Sequence, residues 1–186
     1  MRYEVRLSGA GGQGMILAGV ILAEAAAIYD DKNATQSQSY GPEARGGASK
    51  SEVIISDEDI FYPKATNIDL LLALTQEACD KYVGDLKEQG ILVVDAERVQ
   101  KLPKGKFRVF SLPITSIAQD KVGKIIVANI VALGVITALS GVVSDSAIES
   151  AVLARVPRGT EELNRRALRA GIEAARELLR QKTPRA

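Results

Sequence analysis

Gly9-Ala10-Gly11-Gly12-Gln13-Gly14 constrains this chain more than any other stretch, because it joins the alternating run Tyr3 to Ser8 to the apolar segment Met15-Ile16-Leu17-Ala18. A strand must turn there and feed a helix. Gly9, Gly11 and Gly14 keep the G-x-G-x-x-G spacing. In that pattern the first glycine permits a sharp turn, the second lets another group approach the backbone, and the third lets helix pack tightly on strand. Free N–H groups at the helix start then face an incoming anion. A dinucleotide site also needs a carboxylate about 20 residues further on, at the end of the second strand. There the chain reads Asn33-Ala34-Thr35-Gln36-Ser37-Gln38, and the nearest acids, Asp30 and Asp31, precede it. A P-loop is excluded because no Gly-Lys-Ser/Thr follows the glycines. The turn reads either as an anion cradle of another kind or as a bare strand-to-helix joint.

Met15 to Tyr29 is apolar nearly all round, which predicts a helix buried on more than one side. From Thr35 to Gly47 the residues carry no strand or helix period, and the segment reads as a long loop after a short strand. Ser49 to Ser56 is expected as a strand centred on Val53-Ile54-Ile55, with Tyr62-Pro63 punctuating the chain after it. Ile68 to Leu74 suits a strand buried on both faces, and Thr75 is placed to cap the next helix. In that helix Cys79, Val83 and Leu86 share a face, and Gly90 is the expected end. Ile91 to Asp95 and Phe107 to Leu112 read as two more strands. Beyond Ile114 the chain is mainly helical, over 116–122, 125–139, 144–155 and 160–182, with Thr160-Glu161-Glu162-Leu163 as a capped, acidic first turn. Alternating strands and helices predict an α/β, Rossmann-like three-layer domain with a mostly parallel sheet and a helical C-terminal part. No repeat or linker divides residues 1–186, a length that suits one domain.

Charge and side-chain chemistry narrow the function. A net charge of +1 gives no global attraction to nucleic acid or to an anionic membrane. There is no histidine, which removes the commonest general base and metal ligand, and the single cysteine, Cys79, cannot supply the four thiolates of an iron–sulphur cluster. The start of the chain lacks a secretory pattern, and Ile125 to Leu139 is too short and, with Asn129, too polar to span a bilayer. A cytoplasmic protein is expected.

The most specific polar stretch is Gln38-Ser39-Tyr40-Gly41-Pro42-Glu43-Ala44-Arg45-Gly46-Gly47-Ala48-Ser49. Glycines beside Arg45 give exposed N–H groups and a guanidinium suited to a carboxylate or phosphate, while Tyr40 helps set the loop's shape. A protein–protein contact fits the same residues equally well. Cys79 lies on an apolar face and reads as a core residue. Asp95 ends a strand where doubly wound sheets bind ligands, yet also suits the start of a turn. Asn129 interrupts an apolar helix, bonding to nearby backbone or facing a site or subunit. Arg165, Arg169, Arg176 and Arg180 run beside the stripe Leu168, Ile172, Ala175 and Leu179, either snorkelling at a core edge or meeting an acidic partner.

Taken together, the Gly9–Gly14 turn, the Gln38–Gly47 loop, Ser49 to Ser56 and the weaker marker Asn129 to Gly134 resemble the gamma subunits of 2-oxoacid:ferredoxin oxidoreductases, in pattern over nearly the whole chain. Glu43-Ala44-Arg45-Gly46-Gly47 resembles the 2-oxoglutarate type more than the pyruvate type. The resemblance implies one subunit of a hetero-oligomer that converts a 2-oxoacid and CoA to acyl-CoA and CO2 while reducing ferredoxin. It implies that thiamine diphosphate, magnesium and iron–sulphur clusters are held by the partner alpha, beta and delta subunits and none by this chain. It also places Gly9, Gly11, Gly12, Gln13, Gly14, Tyr40, Arg45, Gly46 and Gly47 at the mouth of a shared active site, binding CoA phosphates or closing over the intermediate. The competing readings are a stand-alone Rossmann-type nucleotide-binding protein and a purely structural interaction subunit. Indolepyruvate, branched-chain and pyruvate enzymes remain alternatives within the family.

Overall fold

A computed structural model describes residues 1–39 and 48–182. Six strands form one sheet in the order β2-β3-β1-β4-β5-β6: β1 Arg2–Ala10, β2 Asn33–Gln38, β3 Ala48–Ser56, β4 Ile68–Ala73, β5 Leu86–Asp95 and β6 Arg108–Leu112. β1, β4, β5 and β6 run parallel, while β3 runs antiparallel to both β1 and β2. The expected α/β architecture is present, with one departure from a dinucleotide fold. β3 is inserted between β1 and β2, so the first helix connects strands that are not neighbours.

Alternation in the strands divides two cores. Val5, Leu7, Val53, Ile55, Leu70, Leu72, Ile91 and Val93 point to a large apolar layer. That layer is built by α1 Met15–Glu24, α4 Ala128–Ser140, α5 Asp145–Arg155 and α6 Glu161–Lys182. The opposite face is smaller, with Leu71, Ala73, Leu92 and Val94 packing on α2 Gln76–Tyr82 through Ala78, Cys79 and Tyr82. α1 continues into a wider π-type turn, Ala25–Tyr29, and the short α3 Ile114–Ser116 into another, Ile117–Val122. α1 buries Met15, Ala18, Ile21 and Leu22 but leaves Leu17 exposed, and Ile28 and Tyr29 beyond it are also exposed, so the apolar periphery of this segment is only partly covered.

α4 and α6 cross at glycines. A methyl group on Gly134 would strike the Leu168 carbonyl, and one on Gly171 would strike the Val131 carbonyl, so the two backbones touch. Leu168, Ile172 and Ala175 are buried as expected. The arginines beside them meet acids of this same chain, Arg165 and Arg169 on Glu149, Arg176 on Asp145 and Arg180 on Glu177. That supports the core-edge reading of the stripe.

Three boundaries differ from expectation. Thr35 to Gln38 belongs to edge strand β2 rather than a loop, because backbone pairing with β3 holds a polar sequence that has little to bury. The helix expected to reach Gly90 stops at Tyr82, and Leu86 and Gly90 lie in β5. Gln89 adopts a positive φ of 67° there, next to a shift in register between β4 and β5. Thr75 caps α2 by accepting from Ala78 N at 3.2 Å, but the Thr160 hydroxyl donates instead to the Pro157 carbonyl at 2.6 Å.

Candidate functional site: the glycine turn

β1 ends at Ala10, and the chain returns on itself through a short reverse turn. Gln13 N donates to Ala10 O at 3.3 Å, and the Gln13 side-chain oxygen accepts from Ala10 N at 2.6 Å. The side-chain amide thus closes the turn from within and presents its NH2 group as a remaining donor. Gly9 belongs to β1, paired with Ser49, and a side chain there would collide with the Gln13 amide. Its role is to make room for Gln13, not to turn the chain. Gly11 is half-buried; Gly12, at φ 84°, is exposed, with nothing within 4 Å of the place a Cβ would occupy. Another group can approach the backbone there, one residue beyond Gly11, to which the spacing assigns that task.

Gly14 is the N-cap of α1 in the left-handed conformation, φ 76°. It packs beneath Asn129 of α4, whose Nδ2 would lie 2.6 Å from a Cβ on Gly14, and not against a strand. Close helix–strand packing falls instead at Gly19, against Ser51. Asn129 is 6% exposed, donates from Nδ2 to Gly14 O at 3.3 Å and accepts at Oδ1 from Ile130 N at 3.0 Å. It ties α4 to the turn, so the two sequence features form a single piece of architecture. Among the described residues no side chain caps the first turn of α1, and no acid occupies that turn. None of them offsets the N-terminal partial positive charge of that helix at the sheet's C-terminal edge.

Tyr40, Arg45, Gly46 and Gly47 lie outside the described residues. The residues that border them are placed: Ser39 N donates to Lys50 O at 3.2 Å, and Ala48 and Ser49 pair with Ala10 and Gly9. Ser39 and Ala48, the described residues on either side of 40–47, are thus both held at β3, and Ala48 lies beside Ala10 at the start of the glycine turn.

The remaining candidates are structural. The Asp95 carboxylate is fully buried and accepts from Glu97 N, Thr115 N and Thr115 Oγ1 at 3.0, 2.9 and 2.6 Å, fixing the turn after β5. Burial, aided by Asp80, pushes the Cys79 thiol up to about 11, which suits a core residue and not a nucleophile. Asp30 binds Ser144 N and Oγ at 2.6 and 2.7 Å at the start of α5, so it is committed away from any ribose. A cleft of about 540 Å³ near the end of β6 is lined by Leu112, Ile117, Lys121 and α6, but Arg180 there already pairs with Glu177. Among the described residues, no three His, Cys, Asp or Glu side chains gather around a metal-sized space, and no helix is long and apolar enough to cross a membrane.

An open α/β sheet whose first strand ends in a glycine turn, braced by an asparagine from the helical layer, carries among the described residues no carboxylate at the end of β2 to hold a ribose. The chain belongs to the pyruvate ferredoxin/flavodoxin oxidoreductase family, whose model matches residues 4–174. It is 54% identical over 180 residues to the 2-oxoglutarate synthase subunit KorC of Methanocaldococcus jannaschii, covering 96% of each chain. The solved gamma subunit of a keto/oxoacid ferredoxin oxidoreductase from Geobacter sulfurreducens is 60% identical, with a TM-score of 0.90 over 95% of this chain and 98% of that one. The same fold, at 21% identity and a TM-score of 0.80, occupies 31% of a longer chain of the 2-oxoglutarate:ferredoxin oxidoreductase from Magnetococcus marinus, with 95% of this chain covered.

Proposed function

We propose that this chain, acting as one domain, is the gamma-type subunit of a cytoplasmic 2-oxoglutarate:ferredoxin oxidoreductase. The complex converts 2-oxoglutarate, CoA and oxidised ferredoxin to the acyl-CoA, CO2 and reduced ferredoxin, with two electrons passing to ferredoxin. Thiamine diphosphate supplies the carbanion chemistry and iron–sulphur clusters the electron path, both on partner subunits. This chain's donor set does not fit a cluster, since its one thiol, Cys79, is buried and held protonated. The near-full-length likeness to a 2-oxoglutarate synthase subunit supports the substrate over pyruvate.

This chain's contribution is electrostatic and steric. Gly11, Gly12 and the Gln13 side-chain amide supply N–H donors at the positive end of α1, and Arg45 is proposed as the cation that joins them. Such a cradle takes the phosphates of CoA at the edge of the partner's site. The open backbone at Gly12 beside the uncapped start of α1 is the observation that carries it. Titrating CoA into the assembled enzyme tests it. Arg45→Ala is expected to raise the CoA dissociation constant by roughly tenfold, the worth of one charge-assisted contact. Unchanged affinity and turnover would remove Arg45 from the site. If the assembled enzyme reduced a viologen dye with pyruvate in preference to 2-oxoglutarate, the substrate assignment would fall.

A further inference from the structure

Phe61 is 91% exposed and Tyr62 is 58% exposed, at consecutive positions in the connection from β3 to β4. Exposed isolated apolar residues are ordinary, but two adjacent aromatics in water forgo a burial worth several kcal/mol. The chain has three phenylalanines, and this one is left almost wholly in water.

The loop is held firmly from below. Arg2 Nη2 donates to the carbonyls of Tyr62 and Lys64 at 2.8 and 3.1 Å. The Glu4 carboxylate, 4% exposed, accepts from Thr66 N and Asn67 N at 2.8 Å each and from Arg2 Nε at 2.9 Å. Two charged side chains of β1 therefore fix the carbonyls and amides that frame the aromatics, while the rings stand largely in water. A preorganised display of this kind loses little entropy on binding. Asp57, Glu58 and Asp59 lead into it. Asp57 meets the N-terminal ammonium at 3.3 Å, whereas Glu58 and Asp59 form no ion pair among the described residues.

We infer that Phe61 and Tyr62, rimmed by Glu58 and Asp59, form a docking knob for a partner subunit that presents an apolar pocket edged with lysine or arginine. The acids select a basic rim and the rings supply the anchor, the usual division between steering and hot spot. The knob lies at the N-terminal end of β1, roughly 27 Å along the strand from the glycine turn at 3.4 Å per residue. It is an interface separate from the CoA cradle. It rests on the subunit reading for the existence of the partner, not on the cradle.

The test uses the full chain and the separately purified remaining subunits, with association followed by isothermal titration. The Phe61→Ser/Tyr62→Ser variant is expected to bind roughly 30-fold more weakly, as for loss of a hot spot, with its own thermal midpoint unchanged. Glu58→Lys/Asp59→Lys should slow association at low salt and converge on the parent at high salt. Parent-like affinity in the serine variant overturns the knob. Failure of the unaltered chain to associate overturns the subunit reading instead. A chain that dimerises alone and becomes monomeric in the serine variant assigns the surface to a second copy and overturns the heteromeric partner.

Discussion

The two faces of the sheet solve the same problem with different chemistry. One is covered by long helices whose contacts are almost wholly apolar, tightened where Gly134 and Gly171 let α4 and α6 touch. Among the described residues α2 is the one α-helix packed on the other face, and β1 turns charge inward there. Arg6 is 3% exposed, bound to Glu52 at 2.9 and 3.1 Å and to Asp85 at 2.5 Å, with its guanidinium over the Tyr82 ring. Burial opposes the Arg6 charge, but the hydrogen bonds to Asp85 and Glu52 outweigh it and its pKa is raised. A well-covered face can rely on shape; a thinly covered one must satisfy every charge it buries.

Breaking shape on the first face should give the largest effect. Gly171→Leu must push α6 off the Val131 carbonyl of α4, and no side-chain rotation relieves a clash with backbone. A loss of more than about 3 kcal/mol is expected, at the upper end of overpacking costs. Urea unfolding of the isolated chain measures it, and a loss below 1 kcal/mol, on the order of a tolerated volume swap, would show that the helices do not cross this closely.

Arg6→Ala tests the second face. It leaves Glu52, whose side chain is only 13% exposed, with Lys50 at 3.1 Å as its remaining ion-pair partner, while Asp85, at 56%, is rehydrated without cost. About 2 kcal/mol should be lost, below the range for a buried pair broken outright because one partner keeps a cation and the other reaches water. Adding Glu52→Gln to Arg6→Ala should restore part of it, by removing a part-buried charge that has lost its guanidinium. No recovery would mean that Lys50 suffices for Glu52 and that packing on Tyr82 carries the loss.

The same contrast governs what could be read from the residues alone. Apolar runs such as Ile68 to Leu74 and the α6 stripe announced their elements because burial and period coincide in them. In β1 the alternation of Glu4 and Arg6 with Val5 and Leu7 looks like a strand with one wet face, yet both faces are buried, since the acids that satisfy Arg6 come from β3 and the turn after α2. Pairing across such distances leaves no local mark. The glycine turn was legible as a turn, but the tasks of Gly9 and Gly14 were not, because they depend on Gln13 and on Asn129 from a remote helix. A lone asparagine in an apolar helix was the available signal for that brace.

Each face also carries a weak acid whose proton is held by burial, Cys79 on one and Tyr3 on the other, and alkaline titration separates the two. Burial, then Asp80, pushes the Cys79 thiol up to about 11 from an ordinary 9.0; burial, then Asp69, pushes the Tyr3 hydroxyl up to about 12 from 10.0, with Arg108 opposing. Cys79 belongs to the α2 face and Tyr3 packs against the helical face. Both groups keep their protons longer in the folded than in the unfolded chain, so their contributions are complete below the unfolded values and are lost as pH rises through the folded ones. Stability should therefore begin to fall near pH 9, with about 2 kcal/mol attributable to Cys79 gone by pH 11, the order expected when folded and unfolded thiols titrate this far apart. In Cys79→Ala, referenced to its own stability at pH 7, the fall should start about one pH unit later, where Tyr3 takes over. An onset unmoved by that substitution would mean that water reaches the Cys79 thiol, and so that the α2 face opens more readily than the helical face.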